Sequence, residues 1–513
     1  MRRGVGIGQR LRRACAPAIL AAIATASATA KGRVTLGDLD RAGRARDAIL
    51  EIELPAARSI LEGADPGDPA LAIERGRLAI YEGDCDAAAA ILARPDLSAT
   101  PEGASLGDIA RGCARGTAAT VVVTDEARGI WVRLQDDEDR ALVPVLAEVA
   151  AKVRDVLVKD LGVELPRPLR IDLVRDQLSL AAQTGLPEEA ARTTGTVAVA
   201  KWGRVTMISP RATPQGYSWL DTLAHEMTHL ALSRGTRDKA PLWMQEGVAK
   251  REEIRWRDPD PLDDIPSVDA IAALGLERGL GRPLDKLGPS IAMLPTAEEA
   301  FVAFAEVASF IRYWARENGD DALPRLVVRL KAATSPDDAE RAIGDVSGAD
   351  LAAWDKRWRA HLASAPRDVP PELAPGGDLP NRIELARRVR LGQLLHDRGH
   401  HAAAASQHAR GQALAPHEPS VRSYLAESLI ASGERASAAP FVEKPSDVHG
   451  RFGRWWSLHG LLHGGEAPEA AFASALALDP FDPPVACEEK LAPELPKDLI
   501  RAAVCEAARR VPR

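Results

Sequence analysis

Aromatic residues make up only 4% of this 513-residue chain, and there are just four tyrosines. Alanine is abundant, and it costs least to place in a helix. An all-β architecture is therefore not expected. Basic charge is not in excess either: 66 Lys+Arg against 73 Asp+Glu give a net charge of −7. Five arginines (Arg2, Arg3, Arg10, Arg12, Arg13) fall within the first thirty residues, which hold no acid, so without that segment the net charge drops to −12. Such an acidic chain lacks the footprint of a nucleic-acid binder, and that class is set aside. Beyond residue 30 no run of 18 uninterrupted apolar residues occurs, so no membrane span is expected there. Cysteine is scarce, with five in all and no CxxC pair, which argues against a structural zinc site built on thiolates. Apolar residues still reach 46%, enough to fill sizeable cores. The length suits about three domains, at roughly 100–200 residues each.

Residues 1–13 form a positively charged stretch, and residues 14–30 are small and apolar, ending Ala28-Thr29-Ala30. That is the layout of a secretory signal peptide with an A-x-A cleavage site. The expected destination is the periplasm or the extracellular space. Four cysteines remain after cleavage: Cys85, Cys113, Cys487 and Cys505. Four allow three pairings. Cys85–Cys113 and Cys487–Cys505 each close a short loop inside one helical region, as suits an oxidising compartment; buried free thiols are the other reading.

Four further segments follow. Residues 31–118 read as short helices, with a helical hairpin broken at Gly83-Asp84. Residues 119–365 mix short strands with amphipathic helices. Strands are expected at Val121–Val123, Ile130–Val132 and residues 169–174, and again in residues 196–208 around Trp202-Gly203. Residues 366–380 hold five prolines and two adjacent glycines, the composition of a linker. Residues 381–513 return to helices. Leu391-Gly392, Gly399 and Ala404 recur 34 residues later as Leu425-Ala426, Gly433 and Ala438, with a shifted third copy at Leu461, Gly465 and Ala470. This resembles the tetratricopeptide repeat. The resemblance implies a concave face for a protein partner. The fold class is thus α+β, a small sheet with helices, flanked by helical regions.

The chemistry concentrates in residues 218–235, SWLDTLAHEMTHLALSRG. Ser218 and Asp221 have the spacing of a helix-capping box, and Gly235 is placed to end the helix. Leu220, Leu223, Ala224, Met227, Leu230 and Ala231 form its apolar stripe. His225 and His229 stand four apart, so both imidazoles share one face and can hold one metal ion. Glu226 is turned by about 100° from His225, where a carboxylate can act on a water at the metal. No histidine precedes His225, and His361 is the only further one before the linker. His459 and His463 repeat the four-residue spacing without the glutamate and read as packing or surface residues.

A second helix is expected from Pro241, with Glu246 early on it, in PLWMQEGVAKREE. Here the sequence resembles the gluzincin metallopeptidases of the thermolysin-like clan. Within them it is most similar to the peptidase MA-like branch, through His225, Glu226, His229, Trp243, Glu246 and Gly247. The resemblance implies one zinc per chain held by His225, His229 and Glu246, with Glu226 as general base. It also implies a protein or peptide substrate lying along a sheet edge, for which residues 196–208 are the candidate. Glu252 and Glu253 are fallback ligands. Related enzymes carry a tyrosine where this chain has Phe304, so Tyr217, Arg312 and Tyr313 are considered as donors to the oxyanion. Lys250 stands one turn after Glu246, where a histidine-orienting carboxylate is expected. The alternative reading is a repeat scaffold whose zinc domain binds but barely cleaves.

Overall fold

The computed structural model describes residues 35–481, apart from 214–215, 260–262, 265, 288–290, 292–293, 370–373, 376–381, 444–451 and 464–467. Residues 1–30, Cys487, Cys505 and Gly465 thus lie outside the described residues, as does most of the expected linker.

Among the described residues six helices come first: α1 (Leu36–Leu50), α2 (Leu54–Leu61), α3 (Pro69–Glu82), α4 (Cys85–Leu92), α5 (Pro95–Ser98) and α6 (Pro101–Gly116). Gly83 adopts a left-handed conformation (φ 77°) that closes α3 and opens the α3–α4 hairpin. Strands β1 (Val121–Asp125) and β2 (Ile130–Leu134) follow, then α7 (Val143–Leu161) and β3 (Leu169–Val174). Short helices α8 (Gln177–Thr184) and α9 (Glu188–Thr194) lead into β4 (Ala198–Lys201) and β5 (Arg204–Ile208). Together these make an α+β chain with one five-stranded sheet, ordered β1-β2-β3-β5-β4. The β2–β3 and β3–β5 pairs are parallel and both outer pairs antiparallel. Trp202 (φ 57°) and Gly203 (φ 69°) both take positive φ, the two-residue turn that suits a twisted β4–β5 hairpin. The strand expected over residues 196–208 is this hairpin, and β4 is an outer strand.

Alternation along the strands gives the sheet two unlike faces. Ile130, Val132, Leu169, Ile171, Leu173, Val205 and Met207 are buried in the main core, which α7 and the later helices complete. The opposite face carries Arg133, Arg170, Asp172 and Arg204. Polar strand residues ordinarily face water, yet here they lie beneath the N-terminal helices. Three guanidiniums from three strands grip the carbonyl end of α3: Arg204 binds the Ile80 carbonyl, Arg170 that of Glu82, and Arg133 that of Gly83 at 2.6 Å. Cations at a helix C-terminus satisfy orphan carbonyls and complement the helix dipole. Asp172, 1% exposed, supplies the counter-charge, 3.0 Å from Arg204 and 3.9 Å from Arg133. Ala45, Ile49 and Leu71 share the main core with Leu223, Trp243 and Phe310. Part of the N-terminal region thus packs in the same core as the segment after residue 118, while Ala79, Ile80, Leu92 and Leu106 form a second buried cluster among the N-terminal helices.

Helix α10 (Trp219–Thr236) and α11 (Leu242–Glu252) come next, then α12 (Val268–Glu277), α13 (Ala297–Asn318), α14 (Ala322–Lys331), α15 (Pro336–Glu340), α16 (Ala342–Ser347) and α17 (Leu351–Ala363). Both ends of α10 are tied to distant chain. Arg234 and Arg237 near its C-terminus bind Glu51 and Glu53 at the α1–α2 junction. Just before its N-terminus, the Tyr217 N–H donates to the Leu478 carbonyl at 3.0 Å.

The C-terminal helices are α18 (Arg382–His396), α19 (His401–Leu414), α20 (Pro419–Ala431), α21 (Arg435–Ala438), α22 (Gly453–His463) and α23 (Pro468–Leu478). They pack as successive hairpins, and Gly399 and Gly433 fall at the turns. His459 and His463 hydrogen-bond to the Val442 and Ala439 carbonyls and stack on each other, a packing arrangement. His408, only 1% exposed, shares the Ser428 hydroxyl with His396 and lies against Gly392. Burial holds the His408 imidazole below its ordinary range, so it stays neutral in the fold. The unfolded chain takes up that proton below about pH 6.5. Stability from this group is therefore complete above that pH and is lost as pH falls towards the depressed folded value. Thermal melts at pH 7.5 and 5.5 should show a lower midpoint in acid for wild type and a smaller drop for His408→Gln.

Candidate metal centre

Helix α10 has one side committed to the core. Leu223, Ala224, Met227, Leu230 and Ala231 are buried, while Leu220 is half-buried. Its N-terminus is not capped as the S-x-x-D pattern suggests: Ser218 makes no side-chain cap. Asp221 instead accepts from Trp256 Nε1 at 3.0 Å and pairs with Arg257 at 2.8 Å. A bidentate-capable arginine outcompetes the local capping geometry. The helix also runs through Gly235 to Thr236, and its C-cap is Arg237 in the left-handed conformation.

Helix α11 carries Glu246. Gly247 lies against α13 so closely that a Cβ would meet the Val307 carbonyl oxygen at 2.6 Å and Ile311 Cγ1 at 2.5 Å. That contact holds the neighbouring Glu246 at a fixed depth. Trp243, 3% exposed, packs edge-on to Phe310 and donates to Glu340 at 3.3 Å.

The structure brings His225, His229 and Glu246 together as a group able to hold a metal ion. The two Nε2 atoms are 3.2 Å apart, and each is 3.4 Å from Glu246 Oε2. A tetrahedron with ligand bonds of 2.0–2.1 Å has edges of about 3.3–3.4 Å. The three donors thus fit one face of a zinc-sized tetrahedron.

A residue that the sequence reading offered only as a fallback ligand orients the first histidine. Glu253 Oε2 lies 3.1 Å from His225 Nδ1, and Lys250 Nζ holds the same carboxylate at 2.6 and 2.9 Å. Glu253 therefore favours the His225 proton on Nδ1 and leaves the Nε2 lone pair open to a metal ion. It stands seven residues beyond Glu246, two turns along the same face, and that spacing was the signal available. Glu252 points elsewhere, into Arg251, Arg255 and Asp160, and burial pushes its carboxyl up to about 7. Glu253→Gln should weaken zinc binding by about 10–100-fold, the usual cost of losing such a partner. Competition against a chromogenic chelator measures it.

Electrostatically the cluster calls for positive charge. Burial acts to lower the His225 pKa, but hydrogen bonds to Glu246 and Glu253 overcome it and push it up to about 10. Burial acts to raise Glu246, yet His229 and His225 hold it well below the usual carboxylate range. Glu253 falls to about 2 against its own burial, under Lys250 and His225. Burial raises the Glu226 carboxyl against the pull of His229 and His225, which makes it the stronger base. The Ala200 N–H lies near enough to Glu226 to favour its charged form slightly. In the β4–β5 register Ala200 is a non-hydrogen-bonded pair with Val205, so that N–H faces outward from the edge.

The other candidates are engaged elsewhere. The Tyr217 hydroxyl donates to the Ile208 carbonyl, and burial, Asp139 and Glu226 push its phenol above its ordinary range. Arg312 pairs with Asp264 at 2.8 Å. Tyr313 stacks on His361 with ring centroids 5.0 Å apart. Phe304 is half-buried against the core. Cys85 and Cys113 form a disulfide linking α4 to α6.

No protein-family model matches the chain, and no curated protein is significantly similar to it.

Proposed function

We propose that the chain is an exported zinc metallopeptidase of the gluzincin kind, with a zincin-type domain between tetratricopeptide-like helical regions. The observation that carries this reading is the triangle of donors, 3.2, 3.4 and 3.4 Å on a side, with a carboxylate on the next residue of the same helix. His225, His229 and Glu246 would hold the ion. Zinc in such a site lowers the pKa of a water towards neutrality and polarises a carbonyl. Glu226 takes the proton of the attacking water and returns it to the leaving amine. Outer strand β4 lies beside Glu226, and among the described residues no further strand pairs with it. Its outward groups offer an extended peptide an antiparallel partner. The C-terminal hairpins would hold a protein partner or substrate.

A second reading has one observation in its favour. Tyr217, Arg312 and Tyr313 all spend their polar groups or rings on other partners. A scaffold protein that binds zinc and turns over slowly would look the same, since a missing oxyanion donor costs about a hundredfold or more.

Metal content by mass spectrometry, on wild type and Glu246→Ala together, tests the metal site. One zinc per wild-type chain and its loss in the variant is the expected result. A wild type that stays empty after reconstitution would sink both readings. Turnover of unfolded protein substrates then separates enzyme from scaffold.

A further inference from the structure

The chain between β3 and β4 changes sides of the sheet. Helix α8 packs on β3, β4 and β5 and against α6, on the face that the N-terminal helices cover. Val174, Leu180 and Ile208 form a small core there, with Val199 against it. Helix α10, with the histidines, packs on β4 and β5 from the other face, and α13 lies beyond it against α11. Helix α9 stands between α8 and β4 in sequence, yet it packs against α13. To reach α13 from α8 it passes around the free edge of β4, because β5 is paired on its far side with β3. Helix α9 therefore spans the gap between β4 and α13 at the Ala198 end of the strand. It is tied down there. Ala191 is fully buried, the Thr196 N–H donates back to the Ala191 carbonyl at 3.0 Å, and Gly195 turns the chain at φ 68°. Along β4, Ala198 is buried and Lys201, at the other end, is exposed.

Resting on the metallopeptidase reading, we propose that the site acts on the carboxy-terminal ends of extended polypeptides, with α9 as the wall that limits how much chain lies beyond the cut bond. Strand β4 runs from Ala198 to Lys201, so an antiparallel peptide runs the other way and its carboxy-terminal side points at α9. Ala198 and Ala200 are non-hydrogen-bonded pairs with Met207 and Val205, so their N–H and C=O groups face that peptide. Glu226 lies by the Ala200 N–H, which sets the cut bond near Ala200. From Ala200 to Gly195 extended chain covers about 17 Å at about 3.4 Å per residue, room for no more than about five residues of substrate. Upstream, the exposed Lys201 end lets the rest of the substrate run on. The side chains of His225, His229 and Glu246 are only 12–13% exposed, an opening suited to a single strand.

The limit is steric rather than a matter of charge. Helix α9 carries Glu188 and Glu189 in its first turn against one cation, Arg192, which pairs with Glu188 at 3.9 Å. It offers a terminal carboxylate no net attraction, so a peptide ending in an amide should serve as well as one ending in an acid. Each cut consumes one water: its hydroxyl goes to the carbonyl carbon, its other proton to the departing amine, and the C–N bond breaks. The short downstream fragment then leaves, and the shortened chain can advance towards α9 for another round.

The test uses the full Glu226→Gln chain and an unstructured peptide labelled at its amino terminus, with binding followed by fluorescence anisotropy. Three competitors carry the same sequence: fused at its amino terminus to a small folded domain, fused to that domain at its carboxy terminus, and closed head to tail. The amino-terminal fusion should compete like the free peptide. The carboxy-terminal fusion and the ring should lose the strand hydrogen bonds and bind at least about tenfold more weakly. Ala191→Trp, which pushes α9 off its neighbours, should let the carboxy-terminal fusion compete; the comparison of fusions stands whether or not that variant folds. With the wild-type chain, mass spectrometry should show fragments of no more than about five residues leaving the carboxy terminus first. A ring or a carboxy-terminal fusion that competes as well as the free peptide would overturn the proposal and leave an enzyme that cuts internally. A chain that binds none of these peptides would remove the metallopeptidase reading and this inference with it.

Discussion

A Glu226→Gln chain is expected to bind one zinc ion and to hydrolyse peptides about 10²–10⁴-fold more slowly than wild type. Glutamine keeps the volume and an acceptor oxygen near the Ala200 N–H, so the edge strand should not move. It cannot take a proton from water. The donor triangle of His225, His229 and Glu246 does not include it, so metal content should hold at one per chain. Equal zinc in the two proteins with unequal rates on an unfolded substrate is the decisive pattern. Equal rates would remove Glu226 from the chemistry. Zinc lost along with activity would mean the variant had disturbed the ligand helix.

The largest effect on stability should come from a residue far from the metal. Asp172→Ala is expected to cost about 3–5 kcal/mol, because it leaves two buried guanidiniums with no counter-charge. Arg204 is 0% exposed and Arg133 8%, so water cannot take over. Both also hold the carbonyl end of α3, and the loss should loosen the N-terminal helices from the sheet. Urea unfolding under oxidising conditions measures it. Asp40→Ala, which breaks an exposed i,i+4 pair with Arg44, should change stability by less than about 0.5 kcal/mol. If the two variants unfolded alike, the buried network would carry no weight.

Spacing placed His225, Glu226 and His229 within little more than one turn of a helix, and the gluzincin resemblance added Glu246; the structure brings His225, His229 and Glu246 together. The helical hairpins and the β4–β5 turn were marked by Gly83, Gly399, Gly433 and Trp202-Gly203. Three things were not legible, for different physical reasons. Glu253 was passed over because the expected orienting position, one turn after Glu246, holds Lys250; the carboxylate sits a turn further on and uses that lysine as its own support. The capping box failed because Asp221 had a stronger partner 36 residues away in Arg257. Arg133, Arg170 and Arg204 alternate with apolar residues just as a solvent-facing edge would. A period of two says which residues share a face but not what covers it.

The anchoring of α10 at both ends bears on how quickly the chain folds. Its C-terminal arginines meet partners 181 to 190 residues earlier in the chain, and the backbone before its N-terminus meets Leu478, still farther off in the other direction. Each meeting closes a long loop, whose entropy must be lost before the contact returns anything. Chains dominated by such non-local pairings fold slowly compared with bundles of local hairpins. Helices α18–α23, built from local contacts, are expected to form before the two remote segments dock on the histidine helix. On that expectation the donor triangle is completed late in folding.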